Sequence, residues 1–368
     1  MKIGILGGGQ LARMLTLAGH PLGLQCISLE PAAEACAAQV GRVVAGAFTA
    51  EDVLAEFAAG VDVVTTEVEH VPLAALDYLQ QHRGLAPGRR SIAVAQDRLL
   101  EKTLFHDLEL PTAHFVPVDS LEDLVAAIDT VGLPAVLKTR RMGYDGKGQV
   151  VLREAAAAEA AWAAVGGVPC LLEAMVPFDR EVSVIAVRSR EGECRFWPLT
   201  ENLHRNGILS VSRALLEEPL QALAEQHCQR LLEALDYVGV LALELFQVGT
   251  SLLANEYAPR VHNSGHWTIE GAVTSQFENH LRAVAGLPLG ATDARCAAAM
   301  VNFVGHVPAA SEVLAVPDAH LHVYGKRTKP GRKLGHATLC AAKPGLLEPG
   351  LKTLLHLAQG GAEGNGLA

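Results

Sequence analysis

Ala135-Val136-Leu137-Lys138-Thr139, followed shortly by Gly143-Tyr144-Asp145-Gly146-Lys147-Gly148-Gln149, is the stretch that decides the fold. A short apolar run ends on Lys138, a glycine-rich loop follows, and Gln149–Leu152 resumes a strand pattern. Such a loop can fold over a triphosphate, and Lys138 and Lys147 can neutralise charge on a transferring phosphoryl group. The competing reading is a surface hairpin with two solvated lysines. Three glycines in six positions, with strands on both sides, favour the phosphate.

Downstream, Glu244 sits inside the apolar run Leu241-Ala242-Leu243-Glu244-Leu245-Phe246, and Glu256 inside Ala254-Asn255-Glu256-Tyr257. An unpaired carboxylate in an apolar strand costs several kcal/mol or shifts its pKa, and a cation offsets that cost. Hard Mg²⁺ takes carboxylate oxygens plus substrate phosphates, and Asn255 can add an amide oxygen. Two acids on neighbouring strands fit this better than a buried salt bridge does. Arg260-Val261-His262-Asn263-Ser264-Gly265-His266 then gathers donors for an anion. Either histidine, alone, also reads as a structural residue. Further on, Lys326–Lys333 holds five cations in eight residues around Pro330-Gly331. A solvated loop is the usual meaning of such a run. Its turn can equally aim the cations into a cleft, where they would bind phosphate or bicarbonate.

Upstream, Gly7-Gly8-Gly9-Gln10-Leu11-Ala12 matches a dinucleotide-binding turn, with Glu30 closing the next strand. It signals a phosphate at a helix N-terminus more clearly than it signals NAD. A nucleotide-dependent dehydrogenase is therefore the rival from another class, and a binding-only module is a third option. Residues 1–101 alternate strand and helix as in a parallel α/β sheet, with strands Ile3–Leu6, Gln25–Leu29 and Asp62–Thr65. Helices are expected at Leu11–Ala18, Ala50–Ala59 and Leu73–Gln81. Residues 102–286 read as helices near Asp97–Leu108, Leu121–Val131 and 155–164, then strands Cys170–Val176, Glu181–Arg188 and Arg195–Thr200. A helix over Glu217–Leu235 and strands Val238–Val248 and Ser251–Tyr257 complete that part. Residues 287–368 read as a small mixed domain.

Composition bounds the function. With 368 residues, half of them hydrophobic, the chain can bury a large core across two or three units. A net charge of −10 speaks against a general nucleic-acid binder. Cys26, Cys36, Cys170, Cys194, Cys228, Cys296 and Cys340 show no metal or redox spacing and read as reduced thiols. Neither a signal peptide nor a membrane-spanning run is read, so a soluble, cytoplasmic protein is expected.

Taken in order, the motifs resemble the 5-(carboxyamino)imidazole ribonucleotide synthase family of purine biosynthesis, an ATP-grasp family. The resemblance rests on Gly7–Met14, Thr65–His70, Gln96–Arg98, Gly143–Gln149, Thr200–His204, Asn255–Trp267 and Lys329–His336. Ala12 stands where the family has glycine and Val261 where it has proline, and neither change removes a polar group. The resemblance implies an α/β and α+β architecture, with a Rossmann-like N-terminal domain, an ATP-grasp domain and a small mixed C-terminal domain. It implies an ATP- and bicarbonate-dependent carboxylation of 5-aminoimidazole ribonucleotide, through carboxyphosphate, by a homodimer. Nucleotide contacts would fall on Arg98, Lys138, Gly143, Tyr144, Asp145, Gly146, Lys147, Gly148, Gln149, Glu173, Ala174, Met175, Val176, Glu181, His204, Asn255 and Glu256. One or two Mg²⁺ would sit on Glu244 and Glu256. The ribonucleotide would lie against Gln10, Glu69, Asn263 and Lys333, with Tyr144, Asp145, Arg260, His262, Lys326 and Arg332 closest to the chemistry. The nearest alternative within the fold is a related ligase using formate or an amino acid.

Overall fold

A computed structural model of the chain describes residues 1–32, 35–143 and 146–360. The first unit is a parallel sheet of β1 (Lys2–Leu6), β2 (Gln25–Glu30), β3 (Arg42–Ala45) and β4 (Val63–Thr66), in the order β3-β2-β1-β4. Helices Gln10–Gly19, Glu51–Ala59 and Leu73–Arg83 cover it, close to the expected positions. β3 was not expected. It is an edge strand with Val44 as its one fully buried side chain, too little apolar pattern to read.

A small antiparallel sheet follows, built from β5 (Phe115–Val118), β6 (Ala135–Thr139), β7 (Gln149–Leu152) and β8 (Cys170–Ala174) in the order β5-β8-β6-β7. Its apolar face packs on helices Leu121–Val131 and Ala158–Ala164 through Leu124, Ile128, Leu137 and Leu172. The larger sheet has nine strands. These are β9 (Arg180–Arg188), β10 (Cys194–Phe196), β11 (Thr200–Arg205), β12 (Ile208–Ala214), β13 (Gly239–Val248), β14 (Ser251–Ala258), β15 (Ala297–Val304), β16 (Ala319–Val323) and β17 (Lys333–Ala341). They run β14-β13-β9-β11-β12-β15-β17-β16, with β10 on β9. The C-terminal unit, mixed as expected, thus joins the sheet through β12 and β15. Among the described residues no helix is long and apolar enough to cross a membrane.

Three sequence readings need correction. The single strand expected over Arg195–Thr200 is two, β10 and β11, which pair with different ends of β9. Pro198 lies between them and has no N–H to give a ladder. The β11–β12 hairpin was missed although Asn206-Gly207 marks it. Both residues have positive φ, 52° and 75°, as a two-residue hairpin turn of this kind requires. The helix expected from Glu217 begins at Gln221, because Glu217 is left-handed at φ 59° and Pro219 follows.

Unit joins unit through buried polar contacts as well as apolar ones. His280, wholly buried on helix Gln276–Ala285, touches Thr65 Oγ1 at 2.7 Å, and its Nδ1 accepts the Val240 N–H at 3.0 Å. Accepting at Nδ1 leaves the ring proton on Nε2, which donates to Thr65, so the neutral ring serves both partners. Burial lowers the His280 pKa from 6.5 to about 4. A folded pKa below the unfolded one means that the unfolded chain takes up the proton first as pH falls. His280 should therefore contribute about 3 kcal/mol that is present above pH 6.5 and lost as pH drops toward 4. Urea unfolding of wild type and His280→Gln across that range checks this. The variant should be the weaker protein at neutral pH, and the difference should shrink toward pH 4.

Candidate active site

Lys138 is the penultimate residue of β6, and its ammonium lies 2.7 Å from Glu173 Oε2 on the neighbouring strand β8. Glu173 is 3% exposed, and behind it Lys102, 2% exposed, places Nζ 3.6 Å from Glu173 Oε1. Burial alone would raise the Glu173 pKa. Lys138 and Lys102 overcome this and hold it at about 2. Glu173, expected as a nucleotide contact, therefore spends its carboxylate orienting Lys138. Ala174 and Val176 are partly exposed beyond it, and Met175 is open to solvent. The glycine loop returns to the strand through Thr139 N–H donating to Gly148 O at 2.8 Å. Gly148 has φ 70° and no room for a Cβ, which would sit 2.6 Å from Thr139 Oγ1. Gly143, Gly146, Lys147 and Gln149 lie along this loop; Tyr144 and Asp145 lie outside the described residues.

On the larger sheet, Glu244 of β13 and Glu256 of β14 are register partners. His262 Nε2 lies 3.1 Å from Glu244 Oε1, and its Nδ1 lies 2.8 Å from Ser264 Oγ. Ser264 continues to Ser183 at 2.8 Å and Ser183 to Asn202 at 3.0 Å, a buried polar chain that fixes the imidazole. Burial would raise the Glu244 pKa, but the His262 hydrogen bond and charge, with His204 and Lys333, bring it to about 2. Glu256 behaves differently. Burial lifts it, Arg98 at 3.3 Å pulls it back, and the Glu244 charge pushes it up again, leaving it above the usual carboxylate value. His204 Nδ1 stands 2.5 Å from Glu181 Oε2; burial opposes its protonation, but that contact raises its pKa overall. Asn255 is half-buried beside Glu256.

The third wall comes from the first unit and the basic loop. Arg260 Nη2 pairs with Glu69 Oε1 at 2.7 Å, and the Lys326 ammonium donates to Gln10 Oε1. Gln39 donates to Tyr324 O and Gly325 O, which docks the loop on the first unit. Arg332 Nη1 donates to Arg327 O at 3.3 Å, and Lys333 opens β17. Asn263 is 9% exposed and exchanges both amide hydrogen bonds with Asn302, so its amide is already engaged. The glycine turn at 7–9 differs most from expectation. Gly8 N–H donates to Glu30 Oε2 and Gly9 N–H to Glu67 Oε1, each at 2.7 Å. Glu30, the acid a dinucleotide ribose would need, is folded onto the turn itself, which removes the main support for a dehydrogenase.

Sequence reading missed Lys102, Glu101 and Glu67. Lys102 lies four residues after Arg98 on helix Arg98–Asp107 and three before the buried Phe105. Charge on a face that also carries a core aromatic is the signal that was available. Glu67 lay in the Thr65–His70 segment but was given no role.

A glycine loop beside a strand-borne lysine, opposed by acids on a second antiparallel sheet, defines an ATP-grasp ligase. The ATP-grasp domain family matches residues 103–277, the ribonucleotide synthetase preATP-grasp domain 1–96, and the phosphoribosylaminoimidazole carboxylase C-terminal domain 298–348. The N5-carboxyaminoimidazole ribonucleotide synthase of Pseudomonas aeruginosa is 55% identical over 348 residues, covering 95% of this chain and 97% of that one. The crystal structure of the corresponding synthetase from Thermus thermophilus is 56% identical, with a TM-score of 0.93 over 96% of this chain and 98% of that one. An Aspergillus clavatus synthase in complex with ADP and 5-aminoimidazole ribonucleotide aligns at a TM-score of 0.91, 29% identical over 97% and 98% of the two chains. The chain belongs to the N5-carboxyaminoimidazole ribonucleotide synthase family.

The buried triad gives a stability test. Glu173→Ala leaves Lys102 enclosed with its counter-charge gone, and should cost about 3–5 kcal/mol in urea unfolding. Adding Lys102→Met should recover part of that loss. Simple additivity of the two changes would mean that the carboxylate does not compensate Lys102.

Proposed function

We propose that the chain carboxylates the exocyclic amine of 5-aminoimidazole ribonucleotide, consuming ATP and bicarbonate and releasing ADP and phosphate. The observation that carries this is a continuous line of charge across the cleft. Lys138 on Glu173 and Arg98 on Glu256 stand at one end, and Arg260 on Glu69 and Lys326 on Gln10 at the other. Such a line can hold a triphosphate at one end and an anionic ribonucleotide at the other, with the reacting carbon between them.

The residues fit Mg²⁺. Glu244 and Glu256 are adjacent carboxylates, one of which is raised by the charge of the other, and hard oxygen donors suit this ion. Among the described residues no three His, Cys, Asp or Glu side chains converge as a metal site, so substrate phosphates would complete the coordination. When bound, the ion would neutralise charge developing on the γ-phosphoryl group. Lys138, aimed by Glu173, and Arg98 add fixed positive charge to the same phosphates.

Bicarbonate oxygen attacks the γ-phosphorus in line, the bond to ADP breaks, and carboxyphosphate forms. Water would destroy this intermediate, so the cleft beside the glycine loop has to exclude it. The substrate amine then attacks the carboxyl carbon, phosphate leaves, and the amine proton passes to an acidic residue or to phosphate. Arg260, held by Glu69, together with Lys326, Arg332 and Lys333, supplies charge for the ribonucleotide and for the carboxyl group in transfer. His262, fixed by Ser264, holds Glu244 in its ionised form. A cytoplasmic homodimer is part of the same proposal.

Glu256→Gln should fold normally and lose most turnover, because one charge that holds Mg²⁺ on the phosphates is gone. ADP release near the wild-type rate at ordinary magnesium would remove the metal assignment. Lys326→Ala and Arg332→Ala should each lower kcat/KM for the ribonucleotide by roughly ten- to a hundredfold, or about 1.5–3 kcal/mol, with ATP affinity kept. Steady-state kinetics with each substrate varied decides this. A loss of ATP binding with ribonucleotide affinity intact would reverse the two ends of the cleft.

A further inference from the structure

Helix Arg98–Asp107 does more than present Arg98 to the cleft. β13 and β14 are in register at Glu244 and Glu256 and again at Leu245 and Ala254, so Asn255 is one residue too many on β14. A bulge of this kind leaves its extra residue out of the ladder, bends the strand and re-aims neighbouring side chains. Where those side chains point depends on how the flanking backbone is held.

Both flanks are gripped from the same helix. On one side Tyr257 N–H donates to Glu101 Oε1 at 2.7 Å. On the other, Lys102 Nζ donates to Ala254 O at 3.4 Å and to Thr112 Oγ1 at 3.1 Å. Thr112 Oγ1 donates to the same carbonyl at 2.8 Å. Glu101 and Lys102 are each 2% exposed, so neither can touch a ligand in the cleft. Burying two ionisable groups costs several kcal/mol, and burial accordingly pushes the Glu101 pKa up and the Lys102 pKa down; an apolar pair would pack the helix on β14 without that cost. An apolar pair could not grip one N–H and one C=O on either side of Asn255 and Glu256. Through its second neighbour, Glu173, Lys102 also ties this anchor to Lys138 on the opposing sheet.

We propose that Glu101 and Lys102 are positioning residues for the nucleotide site, clamping the two flanks of the β14 bulge and so fixing where Asn255 and Glu256 point. The proposal rests on the reading of Glu256 as a residue that holds Mg²⁺ on nucleotide phosphates. Binding of ADP is measured by calorimetry with Mg²⁺ and with a chelator, and the ratio of the two Kd values is the readout. Glu101→Ala and Lys102→Met should each lower that ratio by about ten- to a hundredfold. Glu101→Gln, which keeps an oxygen for Tyr257 N–H, should restore most of it. Phe105→Leu, a packing change on the same helix, should lower Tm and leave the ratio at the wild-type value. A wild-type ratio in both Glu101→Ala and Lys102→Met overturns the clamp, and if either variant fails to fold the other decides. A fall in ratio that simply follows Tm, Phe105→Leu included, overturns it as well. Glu256→Gln separates the two readings. If that variant keeps the wild-type ratio, the metal assignment fails and the clamp falls with it. If only Glu256→Gln loses the ratio, the metal assignment stands and the clamp alone is wrong.

Discussion

Two carboxylates directly opposite each other on neighbouring strands repel, and half-burial sharpens the repulsion. Glu244 and Glu256 occupy such positions, and much of the surrounding architecture offsets that conflict. His262 takes Glu244 and Arg98 takes Glu256, so each acid has its own partner. Each partner is in turn located by something else. His262 is fixed through Ser264 and Ser183 on β9, and Arg98 begins a helix whose N-cap, Asp97, accepts two hydrogen bonds from Arg140. The arrangement leaves two acids side by side and only partly neutralised, a good place for a further cation that arrives with a substrate.

The units converge on this point by different means. The small sheet contributes Lys138 through a buried ion pair, in which Glu173 faces two ammonium groups. The first unit and the C-terminal loop meet across the chain, through Gln10 with Lys326 and Gln39 with the carbonyls at 324 and 325. That loop lies between β16 and β17, and β17 reaches the nucleotide side only because β15 continues the sheet from β12. Continuity of one sheet therefore lets Lys333, at the start of β17, influence both Glu244 and His204.

Legibility from sequence followed the strength of local pattern. Leu121–Val131, Ala135–Thr139 and Gln149–Leu152 were read at their observed bounds, because apolar period and flanking glycines agreed there. Glu244 and Glu256 were legible as a pair because an acid in an apolar strand demands a reason. Lys102 and Glu101 were not, since single residues on a helix reveal burial only once the opposing strand is known. The bulge at Asn255 was equally hidden: register is a property of two strands, and a sequence shows one at a time. Asn263 is the reverse case, a residue chosen for a ligand whose amide is taken up by Asn302.

The turn at Gly7–Gly9 separates a motif from its chemistry. Helix Gln10–Gly19 presents free amides at its N-terminus, as any helix does, and an anion belongs there. Here the anions are the chain's own Glu30 and Glu67. An incoming phosphate would have to displace a carboxylate from a bond already made, and bury it without a partner, at a cost of several kcal/mol. Burial raises the Glu67 pKa, while the Gly9 amide, Arg260 and Lys326 pull against it. The turn therefore anchors an acid, Glu67, whose carboxylate feels the charges of Arg260 and Lys326.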